Sequence, residues 1–269
     1  MAEFNGKYAL ITGATSGIGN ELAKLFAQDG YNLVIVARTE TDLEGVASAL
    51  SSIYGVNVTT IARDLSEPNG PFEVYDEVKT RGLKIDVLVN DAAQGQYGKF
   101  VETDIQRELE IVRLNIMGYL VLTKLFLKEM VARNDGKILQ VASIGSKLPG
   151  PMQSVYHATK AFILSHTEAL VNELKDTGVT ITALLPGPTD TDFFRKAEME
   201  DTVMVQEVSL SDPAKVAKDG YEALMSGESK IISGLKNKIQ VAMSNVLPDS
   251  ASAKMVEKQM EPSEKTNKD

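Results

Sequence analysis

The chain of 269 residues has no cysteine and no tryptophan, and only two histidines. Without cysteine there is no disulfide, no thiolate metal site and no thiol nucleophile. The histidines, His157 and His166, have no companion cluster of acids at metal-ligand spacing. Both read as helix-face residues, and no metal is expected. A long apolar run is missing as well. The segment after Met1 meets glycine at Gly13, too soon for a signal-peptide core or a membrane span, so the protein reads as cytoplasmic. An excess of basic residues is also lacking. The formal charge of -9 argues against nucleic acid or an anionic membrane as the main partner, since both attract basic surfaces.

What is present is alternation. Short β-rich runs at 8–12, 33–37, 56–62, 87–90, 137–142 and 180–185 alternate with helical patterns at 17–28, 41–52, 71–80, 104–132 and 154–177. Several of the strands are nearly continuous apolar runs, as buried parallel strands are. Strand and helix repeated in this way imply an α/β fold with a doubly wound parallel sheet in three layers, α/β/α. The length fits one domain, 1–249, which at this size buries roughly 75% of its unfolded surface. A mixed loop at about 190–210 precedes a helix opened by Ser211-Asp212-Pro213, then a brief strand near Ile231 and a helix over about 235–247. In that last helix Ile239, Met243 and Val246 share one face, suited to docking on the core, covering a cleft or pairing subunits. Residues 250–269 show no clear apolar period and read as a flexible tail.

Directly after the first strand, Thr12-Gly13-Ala14-Thr15-Ser16-Gly17-Ile18-Gly19 opens a helix. Glycines there permit a tight turn and close backbone approach, and the free amides of the helix N-terminus favour a pyrophosphate. In this strand-to-helix context the turn reads as the phosphate grip of a Rossmann-like dinucleotide site. The second strand ends at Ala37-Arg38 rather than at an acid. An acid there selects NAD by binding the ribose hydroxyls, whereas an arginine accommodates the extra phosphate of NADP. NADP(H) is therefore preferred over NAD(H), the alternative being a solvated strand-end arginine. Asp64, followed by Leu65, either accepts a bond from the adenine amino group or caps its own turn.

Tyr156-His157-Ala158-Thr159-Lys160 sets a phenol and an ammonium four residues apart, on one face if helical. A cation ~4 Å from the phenol at an effective dielectric of ~20 favours the phenolate by ~4 kcal/mol. That equals ~3 pKa units, enough for acid-base chemistry near neutrality. The alternative is an ordinary amphipathic helix with Tyr156 buried and Lys160 exposed.

Together these residues resemble the short-chain dehydrogenases/reductases. The resemblance runs through the glycine pattern, Asp64-Leu65, Asn90-Asp91-Ala92-Ala93, Asn115, Ser143, the Tyr156 and Lys160 pair, and Pro186-Gly187, in the family's order from Lys7 to about Ile232. It implies an NADP(H)-dependent oxidoreductase acting on CH-OH or carbonyl groups of a small molecule. Tyr156 is then the acid-base residue, Ser143 the partner of the substrate oxygen, and Lys160 the group that depresses the phenol pKa and holds the nicotinamide ribose. Asn115 helps hold a water that links Lys160 to solvent. Gly13, Thr15, Ser16, Gly17, Ile18, Gly19, Arg38, Asp64, Leu65, Asn90, Ala92, Pro186, Gly187, Thr189 and Thr191 form the cofactor site by the same resemblance, which also implies a homodimer or homotetramer on the helices holding Asn115 and Tyr156. Asp91 and Ala93 depart from the family's Asn and Gly. Two methionines and two phenylalanines in the 190–210 region favour an apolar ligand surface. The functional alternatives are a 3-oxoacyl-thioester reductase and a non-catalytic NADP(H)-binding regulator.

Overall fold

The computed structural model describes residues 6–244 and 246–263. Seven parallel strands form one sheet: β1 (Tyr8–Thr12), β2 (Asn32–Ala37), β3 (Val58–Ala62), β4 (Val87–Asn90), β5 (Gly136–Val141), β6 (Val179–Leu185) and β7 (Lys230–Ile232). Their order is β3-β2-β1-β4-β5-β6-β7. The chain thus winds outward from β1 to β3, crosses back to β4, and continues the other way. This is the doubly wound, Rossmann-like arrangement that the alternation implied. Its switch point lies between β1 and β4, and ligands of open α/β sheets bind at the carboxyl ends of the strands there.

Both faces of the sheet are covered. In β1, Ala9 and Ile11 point to one face and Leu10 to the other; in β2, Leu33 and Ile35 oppose Val34 and Val36. All of these are fully buried, so the strands have no solvent side and read as unbroken apolar runs. On the first face, α1 (Gly17–Gln28) contributes Leu22 and Phe26, α2 (Glu40–Tyr54) contributes Leu43, and α9 (Pro213–Ser226) contributes Leu224. On the second, α3 (Gly70–Thr80) and α5 (Tyr119–Ala132) bring Val74, Val78 and Phe126.

The single helix expected over 104–132 is interrupted. It consists of α4 (Ile105–Val112) and α5, joined by a π-helical turn over Arg113–Gly118 that contains Asn115. Beyond these lie α6 (Ser154–Glu173), the short α7 (Phe193–Lys196) and α8 (Val203–Gln206) of the 190–210 region, and α10 (Leu235–Ser244). In α10 the buried residue is Val241, packed with Ile144, Leu185 and their neighbours. Ile239, Met243 and Val246 are exposed, so of the three uses read for that face docking on the core is excluded.

The flexible tail expected over 250–269 is corrected. Residues Asp249–Met260 form a helix, α11, that buries Ser252, Val256 and Met260. These sit four apart on a stripe one residue wide, too narrow to register as an apolar period. Its partners are loop residues rather than the sheet: Leu148, Phe194, Ala197 and Met199. Residues 264–269 of the expected tail lie outside the described residues.

Candidate active site

The carboxyl ends of the strands open into a cavity of about 890 Å³. The β1 to α1 turn forms one wall. Gly13 has φ +72° and Gly17 φ +56°, the left-handed region that favours glycine. A Cβ on Gly17 would stand 2.9 Å from Thr191 Cγ2, so the turn and the segment after β6 touch only because that carbon is missing. Ser16 is the N-cap of α1, yet its side chain makes no capping bond. Gly17 and Ile18 line the cavity at the start of the helix, where unclaimed amides and the helix dipole attract an anion. A pyrophosphate fits this cradle.

Thr12 ties the turn to β4, since its Oγ1 accepts from the amides of Asp91 at 3.0 Å and Ala92 at 3.1 Å. Gly19 stands behind the cradle rather than in it. A Cβ there would come within 2.5 Å of the Gly13 carbonyl oxygen and 2.6 Å of Asp91 Oδ2. Its amide donates to Asp91. Gly19 therefore packs the turn closely here, and its contact with the cofactor belongs to the proposed function. The Asn90 side chain is likewise turned inward. Its amide donates to Thr123 Oγ1 at 3.0 Å and Gln140 Oε1 at 2.9 Å, a buried polar cluster beside the strand that the large cavity does not reach.

The other expected cofactor residues line the cavity: Thr15, Ser16, Arg38, Asp64, Leu65, Ala92, Pro186, Gly187, Thr189 and Thr191. Arg38 is exposed. Asp64 caps its own turn, with Oδ1 accepting from the Ser66 amide at 2.8 Å and the Ser66 hydroxyl at 2.7 Å. Asp42 of α2 and Arg63 after β3 share this end of the cavity. Sequence reasoning missed both, because neither belongs to a recognisable motif.

Ser143, just past β5, caps a short 3₁₀ turn by accepting from the Gly145 amide at 3.0 Å, and its hydroxyl faces Tyr156 and draws the phenol pKa down. Tyr156 and Lys160 lie one turn apart on α6 and both face the cavity. Lys160 is 3% exposed. Its Nζ donates to the Val141 carbonyl at 2.7 Å and lies 5.8 Å from the Tyr156 ring centroid.

The expected depression of the phenol by Lys160 is not what the structure gives. Tyr156 is pushed up to about 12, first by burial, with Ser143 opposing and the Asp91 charge adding to it. The physical reason is that lost water costs the phenolate more than a lysine aimed at a carbonyl returns. Burial likewise lowers Lys160, against the attraction of Asp91, and raises Asp91, against that of Lys160.

Asn115 is 1% exposed. Its Oδ1 accepts from the Gln94 amide at 3.0 Å, and its Nδ2 donates to the Gln94 carbonyl at 2.9 Å and Thr159 Oγ1 at 3.0 Å. It does not line the large cavity. A second cavity of about 10 Å³ lies between Asn115 and Lys160. His157 is buried and bonds the Leu148 carbonyl at 2.9 Å through Nδ1, bracing the 145–150 loop. Among the described residues no cluster of His, Cys, Asp or Glu is arranged to hold a metal, and no helix is long and apolar enough to cross a membrane.

A family model described as short chain dehydrogenase matches residues 7–202. The chain belongs to the short-chain dehydrogenases. Among curated members of that family it is 32% identical over 265 residues to the oxidoreductase UcpA of Escherichia coli, covering 94% of this chain and 99% of the relative. It is 35% identical over 187 residues to very-long-chain 3-oxoacyl-CoA reductase-B of Danio rerio, covering 67% of this chain and 59% of that one. A short-chain dehydrogenase from Sphingobium yanoikuyae in complex with NADPH superposes with a TM-score of 0.80 at 27% identity, over 89% of this chain and 94% of its own. This chain is accordingly an oxidoreductase of the NAD(P)-binding Rossmann type, acting on small molecules at CH-OH or carbonyl groups.

Proposed function

We propose that the protein is an NADPH-dependent carbonyl reductase, reversible as an alcohol dehydrogenase. The observation that carries this reading is the convergence of Ser143, Tyr156 and Lys160 on the wall of the cavity that the glycine turn also lines. Bound NADPH supplies the hydride. The chain supplies the rest. The turn at 13–19 holds the pyrophosphate, Arg38 meets the 2'-phosphate, and Lys160 holds the nicotinamide ribose. Ser143 orients the carbonyl oxygen and stabilises its growing negative charge. Tyr156 gives that oxygen its phenolic proton as the carbonyl carbon gains the hydride, so ketone or aldehyde becomes alcohol. A phenol held near 12 is protonated at neutral pH, the form needed to donate. The cavity beside Asn115 is the size of one water, and it would return a proton toward Lys160.

The exposed apolar residues Ile105, Leu109, Met117, Leu120 and Phe162 lie on α4, the π turn, α5 and α6. They support a homodimer or homotetramer built on those helices. The acidic charge is consistent with a cytoplasmic enzyme. A second reading, reduction of a 3-oxoacyl thioester, draws support from the Danio rerio relative.

The test is loss of NADPH absorbance with a panel of ketones, aldehydes and acyl thioesters, for the native protein and Tyr156→Phe. The variant keeps the ring, so NADPH affinity should hold while turnover falls ~100- to 10,000-fold. Undiminished turnover would sink the mechanism. No turnover by the native protein on any carbonyl would favour a non-catalytic NADP(H)-binding regulator.

A further inference from the structure

The cavity has an apolar end to which residues beyond the family match contribute. Residues 7–202 carry the match, whereas Val256, Gln259 and Met260 of α11 line the same cavity as Tyr156. Val256 is 2% and Met260 1% exposed, and both pack with Leu148, Phe194 and Met199 in an apolar cluster separate from the sheet's. The cluster is continuous with the catalytic groups, because the ring of Phe193 sits 4.9 Å from that of Tyr156 and packs on the same cluster.

The helix is fastened at its far end. Tyr97 Oη donates to the Met260 carbonyl at 2.6 Å, the Val203 amide to the Glu261 carbonyl at 2.9 Å, and the Ser263 amide to the Asp201 carbonyl at 2.8 Å. Thr202 and Pro262 form an antiparallel bridge. A segment held by backbone bonds to the substrate loop presents its side chains at fixed positions, as a specificity wall requires.

We infer that α11 is the far wall of the substrate pocket, and that Val256 and Met260 set how long an apolar chain on the reduced carbonyl can be. The ligand class is a carbonyl compound with an extended hydrocarbon substituent lying between the 193–210 loop and α11. This rests on the carbonyl-reductase reading. The contrary view, in which these side chains only pin the loop, predicts no dependence on the ligand.

The probes are straight-chain methyl ketones, from 2-butanone to 2-dodecanone, with the full-length protein. One measurement is turnover with NADPH, and the other is calorimetric binding to the protein loaded with NADP⁺. Each methylene that enters the wall should raise kcat/KM and affinity roughly two- to fourfold, the scale of one buried CH₂, until the pocket ends. Val256→Phe should bring that limit to a shorter ketone and Met260→Ala should move it to a longer one, with NADPH affinity and the thermal midpoint as controls on folding. If one variant does not fold, the other still decides. Length-dependent binding without turnover supports the wall and overturns only the reading of the reaction. Binding that ignores chain length and both substitutions, or no binding of any ketone, overturns the wall.

Discussion

Asp91 stands where the family resemblance implies an asparagine, and it brings a carboxyl to the site. Its carboxyl, just past β4, acts on Lys160 and Tyr156 and is itself favoured in its charged form by the Gly19 amide. Reduction needs the protonated phenol and falls as pH rises through its pKa, whereas alcohol oxidation needs the phenolate and rises through the same pKa. Asp91 pushes that pKa up and Ser143 pulls it down. Asp91→Asn should therefore move both limbs to lower pH, and Ser143→Ala should move them to higher pH on a reduced rate. Profiles of kcat against pH in each direction check this, and an unmoved limb in Asp91→Asn would remove Asp91 from the electrostatics of the site. Arg38 makes a separate claim. NADPH should bind at least about tenfold more tightly than NADH, a ~1.4 kcal/mol difference that is modest for a charge-assisted bond. Arg38→Ala should erase most of it, as read by calorimetry with both cofactors.

At the scale of elements, the strands were legible because burial on both faces leaves a continuous apolar run. β1 and β4 have the bounds that hydropathy implies, and α1 starts where the glycine turn ends. The π turn was not legible. Nothing in Arg113 to Gly118 signals an extra residue per turn, because its cause is tertiary: Asn115 reaches the Gln94 backbone and Thr159. Such bulges collect at functional sites. Asn115→Ala would strip the Gln94 backbone of both its bonds to Asn115 and Thr159 Oγ1 of one of its two bonds, at a cost of about 2 kcal/mol or more. Thermal unfolding should show this as a fall of roughly 4–8 °C. The motif residues at the catalytic end were legible from their chemistry. Gly19 and Asn90 show the limit of a motif, which records the residue types that recur, while only the packing tells that Gly19 abuts Gly13 and Asp91 and that the Asn90 side chain bonds Thr123 and Gln140. α11 was hidden by its loop partners, whose own apolar residues, Phe194 and Met199, carry no regular period.

As a whole molecule the chain leaves an apolar stripe on the helices that frame the site. Leu109 is 41% exposed and Met117 48%, values that suit a covered face better than a solvated one. Light scattering at micromolar concentration should give the mass of two or four chains, and a monomer mass would contradict the assembly.

The link between Tyr97 and Met260 spans 163 residues of sequence. A contact of that separation closes a large loop, and entropy makes such contacts slow to form. The glycine turn, by contrast, joins β1 to the helix that follows it and is held through Val36 of β2 and the amides of Asp91 and Ala92, with Thr191 leaning on it from the segment after β6. Refolding should thus proceed through a species that grips the dinucleotide before it owns a substrate pocket. Followed from denaturant by stopped flow, NADPH fluorescence should recover ahead of ketone-dependent turnover, and simultaneous recovery of both would show that α11 docks as early as the sheet closes.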